Sequence, residues 1–340
     1  MASNERVVYA LGFSLWKQAI LPAFLPDRRV VFASSPGRVP NGEVVVVWSR
    51  SDLPKGLQPA ELIRVEDGFL RSVGLGAELV WPLSWVLDRT GIYYDATAPS
   101  DLEQLLQTHA FDGALLQRAR HLRERIVQAG LTKYNVGQDA WQRPRGANRV
   151  VLVPGQVESD ASIAYGAPGV RSNLGLVRAA RAAAPDAYLV YKPHPDVVAG
   201  LRRRGSGEAE AHHLCDEVVF DVPMHALLDE VDELHVLTSQ AGFEALLRGK
   251  RVRCEGLPFY AGWGLTQDAH PCSRRSRTLG LDELVAACLI LYPTYVSRKT
   301  GATIAPEQAL DELLEWRAQS PATLPWWRRG LRRLMGLRKW

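Results

Sequence analysis

The sequence predicts an α/β fold built as two Rossmann-like halves, each a parallel sheet with helices packed on it, with a cleft between them. Three observations predict it. Short Val-, Ile- and Leu-rich runs alternate with helix-length segments along most of the 340 residues, which is the pattern of βαβ units. A Gly-, Asn- and Pro-containing stretch at 133–148 has no periodicity and separates two such series. In the second series, three apolar runs end abruptly in polar, chemically capable residues, at 154–160, 192–196 and 238–239. In open α/β sheets that position, beyond the carboxyl end of a strand, is where ligands bind.

Taken in order, the first series has β-rich runs at 7–11, 29–33, 44–48 and 63–65, then a long helical pattern over 102–131. The second begins at 149 with a strand ending at Pro154. It continues through an Ala-rich helix at 174–184, strands at 188–191, near Val218 and before Thr238, a helix at 242–248 and a strand at 251–255. Helices at 281–291 and 306–317 close the fold. The expected domains are therefore a Rossmann-like domain 1–132, a linker 133–148, a second Rossmann-like domain 149–275, closing helices 276–320 and a tail 321–340.

An apolar content of 46% is enough to bury a large core. Cys215, Cys254, Cys272 and Cys288 form no Cys-x-x-Cys pair and the N-terminus is not signal-like, so free thiols in a reducing cytosol are expected. The apolar run 284–292 is well short of the roughly 20 residues that span a bilayer. The net charge of +4 is uneven: the last fifteen residues hold six cations and no acid, which leaves about −2 for the rest. On a helix, Trp327, Leu331, Leu334, Met335 and Leu337 fall on one side and Arg328, Arg329, Arg332 and Arg333 on the other, the pattern of a helix lying on an anionic membrane surface. A basic solubilising tail is the alternative. The body lacks the basic stripe with stacking aromatics that nucleic acid requires, so no nucleic-acid partner is expected.

The strand ends supply the chemistry. Thr238 and Ser239, followed by Gly242, offer hydroxyls, N–H groups and a close approach for a phosphate at a helix mouth, although Ser and Thr there also serve as plain caps. In Lys192-Pro193-His194-Pro195 two prolines fix the backbone around a histidine beside a cation, which suits either a phosphate bracket or a structural loop. Glu66 and Asp67, flanked by Arg64 and Arg71, follow the 63–65 run as Glu158 and Asp160 follow the strand ending at Pro154. One carboxylate on each side of a cleft is what glycosyl transfer needs: one at the oxocarbenium-like centre, one to take the acceptor's proton. No Gly-x-Gly-x-x-Gly, Walker, Asp-x-Asp or metal-ligand cluster is visible, so neither metal nor cofactor is expected.

Longer runs carry a resemblance. Gly12-Phe-Ser-Leu-Trp-Lys17, RVEDGFLRSVGLG at 64–76, GIYYD at 91–95, Lys133-Tyr134-Asn135, PGQVESDAS at 154–162, YKPHPDV at 191–197, TSQAGFEALLRGK at 238–250 and GLPFYAGWGLT at 256–266 resemble, in this order, the capsular polysaccharide β-Kdo transferases of Gram-negative bacteria. Members often carry two such modules in tandem; this chain carries one. The resemblance implies a GT-B type fold, CMP-Kdo as donor and a retaining double displacement, with a glycolipid or polysaccharide acceptor, in a cytoplasmic protein peripheral to the inner membrane through 326–340. It implies Asp160 as nucleophile with Glu158 as alternative or orienting partner, and Glu66 or Asp67 as base. It further implies Lys192, His194, Pro195, Thr238, Ser239, Gln156, Gly242 and Glu244 around CMP. Arg64, Arg71, Lys133 and Arg298 are the candidate cations for the anionic groups of donor and acceptor. The 259–264 loop is expected either beside the ligand or as a buried turn. Another polymer transferase, of sialyl or glycerol-phosphate type, and a non-catalytic scaffold of a capsule assembly are the alternatives.

Overall fold

The computed structural model describes residues 6–33, 35–73, 81–133, 137 and 139–319. The strands are β1 (Arg6–Leu11), β2 (Arg28–Phe32), β3 (Val44–Trp48), β4 (Glu61–Asp67), β5 (Ser84–Asp88), β6 (Val150–Pro154), β7 (Tyr188–Lys192), β8 (Glu217–Val218), β9 (Glu233–Val236), β10 (Arg251–Cys254), β11 (Gln267–Asp268), β12 (Pro293–Val296) and β13 (Thr303–Ile304). They form a seven-stranded sheet in the order β13-β12-β5-β4-β3-β1-β2 and a six-stranded sheet in the order β11-β10-β9-β6-β7-β8.

The second sheet is parallel at every pairing, as the alternating pattern predicts. The first is mixed. β1, β2, β3 and β4 pair in parallel, but β5 runs antiparallel to β4, β12 antiparallel to β5, and β13 antiparallel to β12. Among the described residues no helix lies between β4 and β5, and without a crossover element the chain reverses direction. Two sequence expectations are corrected here: the first sheet is not wholly parallel, and the 276–320 segment does not only close the fold with helices, because it returns β12 and β13 to the first sheet.

The helices are α1 (Leu15–Phe24), α2 (Asp101–Thr108), α3 (Gly113–Gln128), α4 (Ala161–Gly166), α5 (Asn173–Ala183), α6 (Pro195–Val198), α7 (Glu208–Leu214), α8 (Met224–Glu230), α9 (Gln240–Leu247), α10 (Leu281–Val285), which runs on into π-helical turns at Ala286–Leu291, and α11 (Pro306–Gln319). The helical pattern over 102–131 is thus two helices, each with its own cap: the Ser100 side chain accepts from Glu103 N and that of Asp112 from Leu115 N. None of the helices among the described residues is long and apolar enough to cross a membrane. All four cysteines are free.

Alternation along β6 places Val150 and Leu152 in one core and Val151 and Val153 in another. The larger core is continuous between the sheets, joining Phe69, Leu83, Val86 and Leu122 to Leu152, Leu234, Phe243 and Phe259. It takes in Leu152 of β6, Val190 of β7, Leu234 and Val236 of β9, and Phe69 and Leu70 just past the end of β4.

Candidate active site

The loop after β6 begins at Gly155, where a Cβ would come 2.7 Å from Tyr191 Oη, so only glycine fits. Gln156 then locks the ends of β6 and β9 together. Its Nε2 donates to Thr238 Oγ1 (3.1 Å), its Oε1 accepts from Thr238 N (2.9 Å), and its own N–H donates to Asn173 Oδ1 (2.9 Å). The two acids of this loop face different surroundings. Glu158 spends both oxygens on backbone, accepting from Asn173 N (2.7 Å) and Ser206 N (3.0 Å). Asp160 stands at the N-cap of α4 in extended conformation but makes no capping bond with its side chain. Burial pushes its carboxyl above the ordinary range, against the opposing charges of Arg202 and Lys133.

At the end of β7, Lys192 departs from expectation. Its ammonium donates to Phe220 O (3.1 Å) and Val222 O (2.7 Å), because a buried cation needs acceptors and these carbonyls supply them. It anchors the 220–222 segment, and burial lowers its pKa to about 8. His194 caps α6, with Pro195 at the first helical position, and its Nδ1 accepts from Asp196 N (3.1 Å). Burial first, then Lys133, Arg202 and Lys192, lowers its pKa to about 4, so the ring is neutral near pH 7 with its proton on Nε2. Arg202 is tied back to this turn through its N–H to Asp196 O (3.1 Å), and its charge acts on Asp160, His194 and Asp196 alike.

At the end of β9, Ser239 caps α9 by accepting from Ala241 N (3.2 Å). Gly242 is required for a reason other than the expected one. A Cβ there would lie 2.2 Å from Tyr260 Oη, so the missing side chain makes room for that buried tyrosine, whose hydroxyl donates to Ser239 O. Glu244 is buried and accepts from Lys133 N (2.6 Å), which ties it to the start of the linker; burial raises its pKa to about 7. The 259–264 loop is a packed turn: Phe259, Tyr260 and Trp263 are buried, and Trp263 Nε1 donates to Phe259 O (2.9 Å).

In the first half, β4 delivers a second pair. Asp67 accepts from Arg71 Nε (2.6 Å) and Trp85 Nε1 (3.2 Å), which fixes the buried Arg71. Glu66 accepts from Asp67 N (3.0 Å) and from Ser49, whose hydroxyl also meets Tyr94 Oη (2.5 Å). Burial and then Asp67 raise its pKa to about 7. Lys17 sits nearby with its Nζ 3.0 Å from the centroid of the Trp48 ring, and burial lowers its pKa to about 8. Arg64 departs from expectation: its guanidinium donates to Ser49 O (3.2 Å) and Ser51 O (3.1 Å) and stiffens that turn. Arg298 lies over the Trp316 ring at 3.5 Å.

The two clusters adjoin across the shared core. Gln240 Nε2 donates to Phe69 O (2.9 Å), Phe69 packs on Phe259 with centroids 4.5 Å apart, and Ala96 N donates to Tyr165 O (3.2 Å). The charge of Arg71 acts on both Lys17 and Asp196. Sequence reasoning named Asp160, His194, Glu66, Arg71 and Lys133 but passed over Lys17, Ser49, Tyr94, Asp196 and Arg202. Lys17, Tyr94 and Asp196 sit within quoted motifs and Arg202 opens an Arg-Arg-Arg run, whereas the meeting of Ser49 with Tyr94 comes only through the fold. Residues 74–76, 134–135 and the basic tail at 326–340 lie outside the described residues.

A family model described as capsule polysaccharide biosynthesis protein matches residues 57–295. The capsule polysaccharide modification protein LipA of Neisseria meningitidis serogroup A is 44% identical over 319 residues, 90% of this chain and 45% of LipA. The lipopolysaccharide-processing protein LpsZ of Rhizobium meliloti is 40% identical over 328 residues, 91% of this chain and 74% of LpsZ. The chain therefore spans about half the length of LipA. Two solved structures from Thermosulfurimonas dismutans KpsC are similar throughout. Its β-Kdo 2,7 transferase is 40% identical with a TM-score of 0.75, covering 91% of this chain and 99% of that one. Its β-Kdo 2,4 transferase is 33% identical with a TM-score of 0.80, covering 92% and 98%. The family match takes in Glu66, Asp160, His194 and Ser239, and with relatives aligned along most of its length the chain belongs to the capsule polysaccharide biosynthesis family, together with the KpsC Kdo transferases.

Proposed function

We propose that this chain is a retaining glycosyltransferase of GT-B type that moves Kdo from CMP-Kdo to a glycolipid or polysaccharide acceptor in surface-polysaccharide synthesis. The observation that carries the reading is the contrast within one loop: Glu158 is consumed by backbone, while Asp160 makes no capping bond and faces the charges of Arg202 and Lys133. The names of the two KpsC structures support the choice of sugar.

In the first displacement an Asp160 oxygen attacks the anomeric carbon as the bond to the phosphate oxygen breaks, and CMP leaves with that electron pair. Arg202, Lys133 and the Nε2–H of neutral His194 meet the charge that develops on the phosphate. In the second, the acceptor oxygen attacks the same carbon, its proton passes to Glu66, and the ester electrons return to Asp160. Glu66 is the better base of its pair because Asp67 is committed to Arg71 and Trp85. Two inversions give net retention, and no cofactor is required. Binding of the 326–340 segment to an anionic leaflet would hold the cleft near a lipid-borne acceptor.

Incubation with CMP-Kdo generated in situ, followed by intact-protein mass measurement, tests this. Wild type should gain one Kdo residue, and Asp160→Ala and Asp160→Asn should gain none. An adduct that survives in Asp160→Ala would move the nucleophile elsewhere, and absence of CMP release from wild type would remove the donor.

A further inference from the structure

Asp196 has no role in the mechanism above, yet its placement is costly. The residue is 7% exposed, and its buried Oδ1 has no hydrogen-bond partner. Folded proteins seldom leave a carboxylate oxygen in that state unless something else supplies the donor. The backbone holds it there firmly: Asp196 N donates to His194 Nδ1 (3.1 Å), and Asp196 O accepts from Leu201 N (2.9 Å) and Arg202 N (3.1 Å). The charges that act on it are those of Arg202, Asp160, Lys133 and Arg71, and two of them, Arg202 and Lys133, also act on the proposed nucleophile.

The chemistry of the group narrows its ligand. An ionised carboxylate only accepts, and one placed beside a second carboxylate repels the phosphate and acid groups of an anionic donor, which go to the cations. Hydroxyls remain. We infer that Asp196 is the hydroxyl-binding carboxylate of the donor site, accepting from one or two hydroxyls of the activated sugar and so turning its anomeric carbon toward Asp160. This rests on the reading of the cleft as a nucleotide-sugar site.

Asp196→Asn in the full chain tests it with two readouts. In the ligand-free protein the change removes, at constant volume, a buried charge whose Oδ1 has no hydrogen bond, so Tm should equal or exceed that of wild type; a fall of several degrees would show that the carboxylate holds the fold and would overturn the inference. With donor, KM for CMP-Kdo should rise about 10- to 100-fold with kcat little changed, while affinity for CMP alone stays within about two-fold. An unchanged KM, or an equal loss of CMP affinity, would overturn it. Asp196→Glu keeps the charge but displaces it and should raise KM as well; wild-type KM in that variant would reduce Asp196 to a background charge and overturn the inference. If wild type itself releases no CMP, the donor reading fails, and the Tm comparison still decides whether Asp196 is reserved for a ligand.

Discussion

Glu66 and Asp67 are adjacent in sequence, and their surroundings give them different chemistry. Asp67 is held by Arg71 and Trp85, whereas Glu66 has its pKa raised from the ordinary 4.5 to about 7. A base works only when ionised, and a raised pKa moves ionisation upward, so transfer should climb as pH rises through about 7 and then level off. Lys17 favours the ionised form, so Lys17→Met should displace that midpoint to higher pH. Glu66→Gln should slow transfer to acceptor by roughly 10²- to 10⁴-fold while leaving adduct formation on Asp160 intact, as acceptor assays alongside intact mass would show. The pairing of an acid from each half was legible in the motifs. Which acid of each pair is committed was not, because the partners of Glu158 lie 15 and 48 residues away and only folding brings them up.

At the scale of elements, strand ends and caps are local properties, and the sequence displays them: β6, β7, β9, α5, α9 and α11 fall where their apolar runs and capping residues place them. Long-range demands are what it conceals. Gly242 reads as a phosphate-binding glycine until Tyr260 is seen above it, and Lys192 reads as a phosphate cation until the 220–222 carbonyls are seen around it. Gly242→Ala should therefore destabilise the protein by about 1–3 kcal/mol, since the new methyl displaces a buried ring. Thermal denaturation checks this; a variant as stable as wild type would mean that Tyr260 yields without cost.

For the whole molecule, the two strand series that form the two sheets were legible because the 133–148 stretch interrupts the periodicity, but the return of the C-terminal segment to the first sheet was not. Residues 293–296 and 303–304 are too short to register as strands; β12 pairs with β5, about 207 residues earlier, and β13 pairs only with β12. The membrane contact proposed for the tail is tested at this scale too. Deleting the residues after Pro325 should abolish sedimentation with vesicles rich in anionic lipid, and added salt should weaken binding of the intact chain because part of the attraction is screened Coulomb energy. Undiminished sedimentation of the deletion would assign membrane contact to the body.

The return of β12 to the first sheet also sets a timetable for synthesis. Val86 pairs with Pro293, which leaves the ribosome about 207 residues later, an interval of roughly 10–40 s at ordinary elongation rates. Until then the hydrogen-bonding edge of β5 that β12 will take stays open, since among the described residues β4 is the only other strand beside β5. The N-terminal half is therefore a poor candidate for separate expression, and a chaperone that shields one bare edge would be of most use to this chain in that interval.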